Sequence, residues 1–514
     1  MSTLAAVHSE LVYLFRHALL RDAAYQLQLP SDRAKLHELA LVLTEAAFGG
    51  RAPAPWPLEA PDPPPFAPHP TDALAEELAN HAGKSSSRAT RAVRKLYMRR
   101  AAEHADQQFR GDTSERLWRI HAELATGIER GESLRRASNA ALLAGRTRRA
   151  EPLLNEAITV LQSAGGLRFE GLGWANLANL YSQTGRTRES EQAFERALEL
   201  VRGAGDRKSE ANVVVLLANT WKESGRLAEA ERGFERALAL SRDEGDRGAE
   251  GRALTGLSNL LHETGRVELA ESLQAQAMAS FRAAGDERSA EILMVSQASV
   301  LQETGRRPQA ERLLDAALVR IRATGNLRVE GMTLINLAIL YERTGRAHLA
   351  EAIYKRSLEI FREIGDRRQE GVAIVSLSTL YRAFGRAVEA ERGFVEALVI
   401  LREIGNRRAE GIALGNLGGM YGESGRFSEA EQAFEQAVAI HREIRNRRFE
   451  GSHLCAWCLC LLAAGRAEEA KVKWRQGAAI LREVGDLPEF EMMRGYMRED
   501  CAKAGVPVFD EGGV

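Results

Sequence analysis

Apolar residues return along this chain at the spacing of a helix face. Leu334, Leu337, Ala338 and Tyr341 form one such set, and Ile374, Leu377, Ser378 and Tyr381 repeat it forty residues on. A second kind of set lies between them: Ala350, Tyr354 and Ser357 in one place, Ala430, Phe434 and Ala437 in another. No β-branched alternation competes with the helical period. The pattern predicts pairs of helices, a first and a second, repeated many times.

The polar punctuation keeps the same step. Gly-Arg falls at 145, 185, 225, 265, 305, 345, 385, 425 and 465, nine times at a spacing of forty. Gly-Asp or Gly-Asn falls at 205, 245, 285, 325, 365, 405 and 485, and only Arg445-Asn446 breaks the series. Asp206 or Asn326 is placed to cap a first helix by accepting a hydrogen bond from a free first-turn N–H. An acid follows in the first turn, Glu210, Glu250, Glu330, Glu370, Glu410 or Glu450, where the helix dipole favours it. The glycine of Gly-Arg ends the first helix, since only glycine takes the left-handed conformation without a Cβ clash. Pro308 and Pro488 fall in first turns, where a missing N–H costs little, and Pro152 lies deeper and is expected to bend its helix.

The small and large residues Leu177, Ala178 and Tyr181, then Phe194 and Ala197, resemble the tetratricopeptide repeat. The usual period of that repeat is about 34, so the extra residues are expected to lengthen the second helix and its loop. The longer form is similar to the repeats of kinesin light chains and of the LGN/Pins adaptors, which carry Gly-Asp loops and runs such as Asn416-Leu417-Gly418. The resemblance implies an all-α fold: an α-solenoid, a superhelix of about nine two-helix repeats over 131–490, with a groove lined by first helices. The units at 291 and 451 depart most, with Gln297 in place of leucine and Ala456-Trp457-Cys458 in place of Asn-Leu-Gly. End units of such arrays need polar caps. Residues 491–504 are expected to form a capping helix, and 505–514 a frayed tail.

The first 130 residues differ. Nine of the fourteen prolines lie between Pro53 and Pro70, so 51–71 is expected to be an exposed, stiff linker or loop, a spacer rather than a Pro61-x-x-Pro64 ligand for a proline-reading domain. Residues 1–50 are expected to be an N-terminal helical segment, in which a strand at 11–15 would lack partner strands so that the stretch is expected to be helical or disordered, and 72–130 degenerate helical repeats. The run from Leu11 to His17, the helices around His37 and His81, and Ala101-Ala102-Glu103-His104 resemble the stretch joining a STAND-type NTPase to its helical repeats. That likeness implies a sensor arm of a bacterial regulator, without its NTPase.

Composition narrows the chemistry. The net charge is −1, which offers no global attraction for nucleic acid or anionic membrane. No eighteen-residue apolar run occurs, so no membrane span is expected. Four cysteines, three of them at 455–460, fit a reducing, cytoplasmic setting better than a disulfide framework. Cys455-x-x-Cys458 lacks a second pair, and with His453 alone nearby reads as buried thiols rather than a metal site. Gly83-Lys84-Ser85 lacks the earlier glycine and the strand of a phosphate loop. No nucleophile–base set emerges, so no enzymatic activity, metal or cofactor is expected. Gly411, Gly415, Gly418, Gly419 and Gly422 fall inside a first helix, with Gly415, Gly419 and Gly422 on its groove face; they read either as a relaxed helix or as bare backbone that a ligand can approach.

One constellation remains. Asn139, Asn179, Asn219 and Asn259 repeat at a step of forty, followed by Ser299, Ile339, Thr379 and Gly419. This position faces the groove. Carboxamides offer donor and acceptor together and suit an extended peptide backbone, a use that the resemblance also implies; an inter-repeat hydrogen-bond ladder is the other reading. Val215, Val295, Ile335 and Val375 are expected to add apolar contact, with Ile339 beside them. The repeated arginines at 202, 242, 282, 322, 362, 402, 442 and 482 read as dipole and ion-pair partners on a solvated face. The expected function is a non-enzymatic scaffold or sensor arm that binds a protein or peptide in its groove. The alternative is a regulatory subunit working with a separate NTPase, kinase or DNA-binding chain.

Overall fold

The computed structural model describes residues 25–60, 64, 66–85, 89–108, 110–144, 146–184 and 186–509, and no strand occurs among them. The segment 11–15 and Pro61 lie outside the described residues. Two compact units emerge, 1–137 and 138–514.

Nine helix pairs follow one another from Gly127–Leu143 with Thr147–Ser163 to Arg447–Ala463 with Ala467–Glu483. The reason is local. Asp206, Asn326, Asp366 and Asn406 each accept a hydrogen bond from the backbone N–H three residues on, which starts a first helix. Gly225, Gly265, Gly345 and Gly425 end first helices at φ between +71° and +80°. Where the series lacks its glycine, Arg445 adopts the same left-handed turn at φ +54°. The two helices of a unit differ by one residue at most, seventeen each in Arg207–Glu223 and Leu227–Asp243 and seventeen and eighteen in Arg247–Glu263 and Val267–Ala284. The excess over the usual period is therefore not confined to the second helix. Pro152 stands inside an unbroken helix, Thr147–Ser163, and Pro308 and Pro488 occupy first turns.

From Leu167–Gln183 onward each first helix packs on its own second helix and on the first helix of the next unit, while second helices reach onward through that neighbouring first helix. First helices thus make an inner layer and second helices an outer one. Between the layers lies a ribbon of buried side chains, with Phe194, Phe234, Tyr354, Phe394 and Phe434 at one recurring second-helix position, where Gln274 and Leu314 stand in the two units between. The arginine of Gly-Arg ties each unit to the one before. Arg346 meets Glu311 at 2.7 Å, Arg386 meets Glu351 at 2.9 Å and Arg426 meets Glu391 at 2.7 Å, each guanidinium lying over the tyrosine that precedes it. The second arginine series is paired as expected: Arg202 with Glu210 at 2.8 Å, Arg362 with Glu370 at 2.9 Å and Arg442 with Glu450 at 2.7 Å.

The second unit curls until it meets itself. Arg408 Nη1 lies 3.2 Å from Glu223 Oε1, more than four repeats earlier in the chain. A Cβ on Gly225 would lie 3.6 Å from Val484, and one on Gly405 3.7 Å from Thr184. A seam therefore joins two successive turns of the superhelix.

Helix Leu487–Ala504 covers the end of the array and starts four residues before the expected cap. Phe490, Met493, Met497 and Cys501 pack on Leu461, Trp474 and Leu481. The expected fraying after Gly505 is not what residues 506–509 do: Val506 packs against this cluster and Phe509 is buried in it.

In the first unit, helices Pro30–Ala47, Ala75–Lys84, Ala89–Gln107 and Gly111–Leu124 hold the described part of the proline-rich stretch. The stretch is pinned rather than free. Arg100, 2% exposed, binds Asp72 at 2.7 and 2.9 Å and donates to the carbonyls of Pro53 and Ala67 at 3.0 and 2.9 Å. Arg99 donates to the Trp56 carbonyl. Prolines leave carbonyls with no competing N–H nearby, and two guanidiniums satisfy them. The expectation of an exposed spacer missed these arginines, since nothing in their local sequence marks them.

Candidate groove site

Three first helices, Leu327–Arg343, Arg367–Ala383 and Arg407–Glu423, border a depression of about 410 Å³ on the inner layer. Ile339, Val372, Val375 and Ile412 supply apolar wall; Ser376, Thr379 and Asn416 supply polar edges. Glu342 stands at the side, accepting from the Tyr354 hydroxyl at 3.4 Å. Burial raises its carboxyl above the ordinary range, an effect that this hydrogen bond and Arg343 only partly oppose.

The expected groove residues divide. Ile339 and Val375 line the depression. Val215, Val295 and Ile335 are buried at 8%, 7% and 9% exposure, so they serve the core. A first helix has a like helix on either side, and much of the stripe that a periodicity argument assigns to the groove is covered by these neighbours.

The asparagines divide as well. Asn139 accepts from Asn176 and Asn259 accepts from Ser296, both at 2.8 Å, so these two are rungs between repeats. Asn219 donates to the Val215 carbonyl of its own helix at 3.0 Å. Asn179 has no hydrogen-bond partner among the described residues, and its step along the chain is that of Ile339 and Thr379. The four carboxamides therefore do not act alike. Asn259→Ala, which removes the acceptor of Ser296, is expected to lower stability by about 1 kcal/mol. Asn179→Ala is expected to leave it unchanged. Thermal melts of the two variants check this, and the reverse order would contradict the division.

Other chemistry-bearing residues turn inward. Cys455, Cys458, Cys460 and Cys501 are free and buried, and burial pushes Cys455 up to about 12 and Cys460 up to about 11. These thiols stay protonated and behave as small apolar groups. The glycines of helix Arg407–Glu423 are clearances. A Cβ on Gly411 would lie 2.7 Å from His441, on Gly415 2.3 Å from His453 and on Gly422 2.9 Å from Cys460. The expectation that Gly415 and Gly422 offer bare backbone to a ligand gives way to side chains filling those spaces. Lys84 ends helix Ala75–Lys84, with no strand before it. Among the described residues no group of acids, histidines and cysteines is arranged to hold a metal ion.

A profile of the tetratricopeptide repeat matches residues 172–243, 209–283, 289–363 and 370–443, together a little over half of the chain. The chain belongs to the tetratricopeptide repeat family. No curated protein matches it. Solved tetratricopeptide-like structures do. A Rap protein complexed with competence and sporulation factor is 13% identical, covering 70% of this chain and 99% of that one, at a TM-score of 0.48. A STAND ATPase with a tetratricopeptide repeat sensor from Pyrococcus horikoshii is 16% identical, covering 85% and 74%, at 0.44. A putative kinesin light chain from Podosopora anserina is 19% identical, covering 37% and 93%, at 0.32. No described helix of this tetratricopeptide chain is long and apolar enough to cross a membrane.

Proposed function

We propose that the chain is a non-enzymatic scaffold or sensor arm whose inner groove takes an extended segment of a partner protein. The depression at Ile339, Val375 and Ile412 carries this reading. Its apolar floor suits one or two apolar side chains, and its polar edges suit a peptide backbone. Glu342, half-buried beside it, favours a basic side chain in the segment, since a cation there stabilises the charged carboxylate against its burial.

The test uses random twelve-residue peptides displayed on phage and panned on the full chain. Selected peptides are expected to combine apolar residues with a lysine or arginine. Thr379→Arg, which fills the depression, is expected to weaken them about tenfold or more, a loss of about 1.4 kcal/mol. Glu342→Gln is expected to weaken those with a basic residue and spare the rest. Peptides that bind Thr379→Arg as they bind the parent, or panning that yields no binder, would overturn the groove as the site.

A further inference from the structure

The seam between superhelical turns has a register of its own. Position 328 and its successors at 368, 408 and 448 are all arginine. Two places along this series can supply a carboxylate. The first is the capping residue of the next repeat: Arg328 meets Asp366 at 2.9 Å and Arg448 meets Asp486 at 2.5 Å. The second is the end of a first helix on the earlier turn: Arg408 meets Glu223 at 3.2 Å, and Arg448 lies within the field of Glu263, with which it lines one cleft.

Arg368 has neither. The capping residue it would meet is Asn406, and the residue on the earlier turn is Gln183. Both are neutral, and both line the same cleft as Arg368. Its two acidic neighbours are engaged elsewhere, Asp366 by Arg328 and Glu223 by Arg408. The Arg368 backbone N–H bonds the Asp366 carboxylate, but its guanidinium makes no hydrogen bond or ion pair with any described residue. Burial lowers its pKa, with Arg328 and Arg408 adding to the effect and Glu223 and Asp366 opposing it. The cleft is about 40 Å³ and is also lined by Ser182, Ser224 and Arg408. That is room for about three waters or one small oxyanion. Its charged groups are two guanidiniums and one carboxylate, a net positive site lined by hydroxyl and amide donors.

We infer that Arg368, with Arg408, binds a small free oxyanion such as phosphate or sulfate between two turns of the superhelix, supplying the negative charge that Asn406 and Gln183 omit. The site exists only while the turns touch, so the anion holds the curled form closed. This site is separate from the groove, and neither proposal depends on the other.

The experiment titrates the full chain with sodium phosphate, with sodium chloride at matched ionic strength as reference, by calorimetry and thermal melting. The parent is expected to bind phosphate saturably and to melt higher in phosphate than in chloride. Arg368→Gln is expected to bind it about tenfold or more weakly. Gln183→Glu supplies the missing carboxylate from within. It is expected to melt higher than the parent in chloride and to lose the phosphate response. Phenyl phosphate, the same head group on a bulky body, is expected to bind more weakly than phosphate. No saturable binding to the parent, or an undiminished response in Gln183→Glu or Arg368→Gln, would overturn the site. Tighter binding of phenyl phosphate would overturn a free ion as its ligand.

Discussion

Removing residues 487–514 is expected to leave a chain that melts far lower and aggregates. The deleted helix buries Phe490, Met493, Met497 and Cys501 against the last repeat, with Phe509 closing the patch from beyond the helix. Each large side chain of this kind contributes about 1.5–3 kcal/mol by burial. Trp474, 1% exposed in the full chain, and Leu461 and Leu481 would face water. In an array whose units lean on their neighbours, such a loss unravels the end repeat first. Light scattering and thermal melting of the truncated chain check this. A shorter deletion that begins at Phe509 is expected to lower the melting temperature measurably. A monomeric chain ending at Asp486 with an unaltered melt would refute the capping role.

Acid is expected to destabilise the array well before its carboxylates are protonated. His441 and His453 sit in core positions where other units hold Leu401 and Ala413, their rings 5.0 Å apart beside Phe449. Burial holds His441 down to about 2, with His453 and Arg408 adding to the effect, and burial alone holds His453 down to about 4. In the unfolded chain both titrate near 6.5. Below that pH the unfolded state takes up protons that the folded state refuses, so stability falls as pH falls from about 6.5 toward the folded values. Between pH 7 and pH 5 the loss is about 2 kcal/mol for each histidine. His121 in the first unit, held down to about 3 mainly by burial, acts in the same direction there. Denaturant melts from pH 7.5 to 5 are expected to show this slope in the parent. The double variant His441→Leu and His453→Ala is expected to lose most of it in the second unit. An equal slope in parent and variant would mean that other groups drive the acid response.

The helix pairs, their caps and their left-handed junctions were legible because each depends on residues within one turn of one another. The inner face was legible only in part. Ile339 and Val375 line the depression, but Val215, Val295 and Ile335 are buried, and a single helix's period does not reveal how much its neighbours cover. The asparagine step was visible; that Asn259 bonds Ser296 while Asn179 has no hydrogen-bond partner among the described residues depends on what stands in the adjacent repeat. The seam was invisible to any search at a step of forty, because Glu223 and Arg408 are not separated by whole repeats. Their meeting is set by the curvature of the assembled array. Arg100 likewise finds Asp72 and two carbonyls only after the proline-rich stretch has folded back.

Self-contact also bears on how such a gene can grow. Repeat arrays lengthen and shorten by unequal exchange of whole units, and where each unit meets only its neighbours a gained or lost copy is mild. Here a copy inserted between Glu223 and Arg408 would keep every local junction yet bring Arg408 opposite a different ancestor of Glu223. Copies added outside that interval would leave the Glu223–Arg408 pairing intact. The seam contacts together reach from Thr184 to Val484, so that span is the part of the array whose copy number selection has reason to hold fixed.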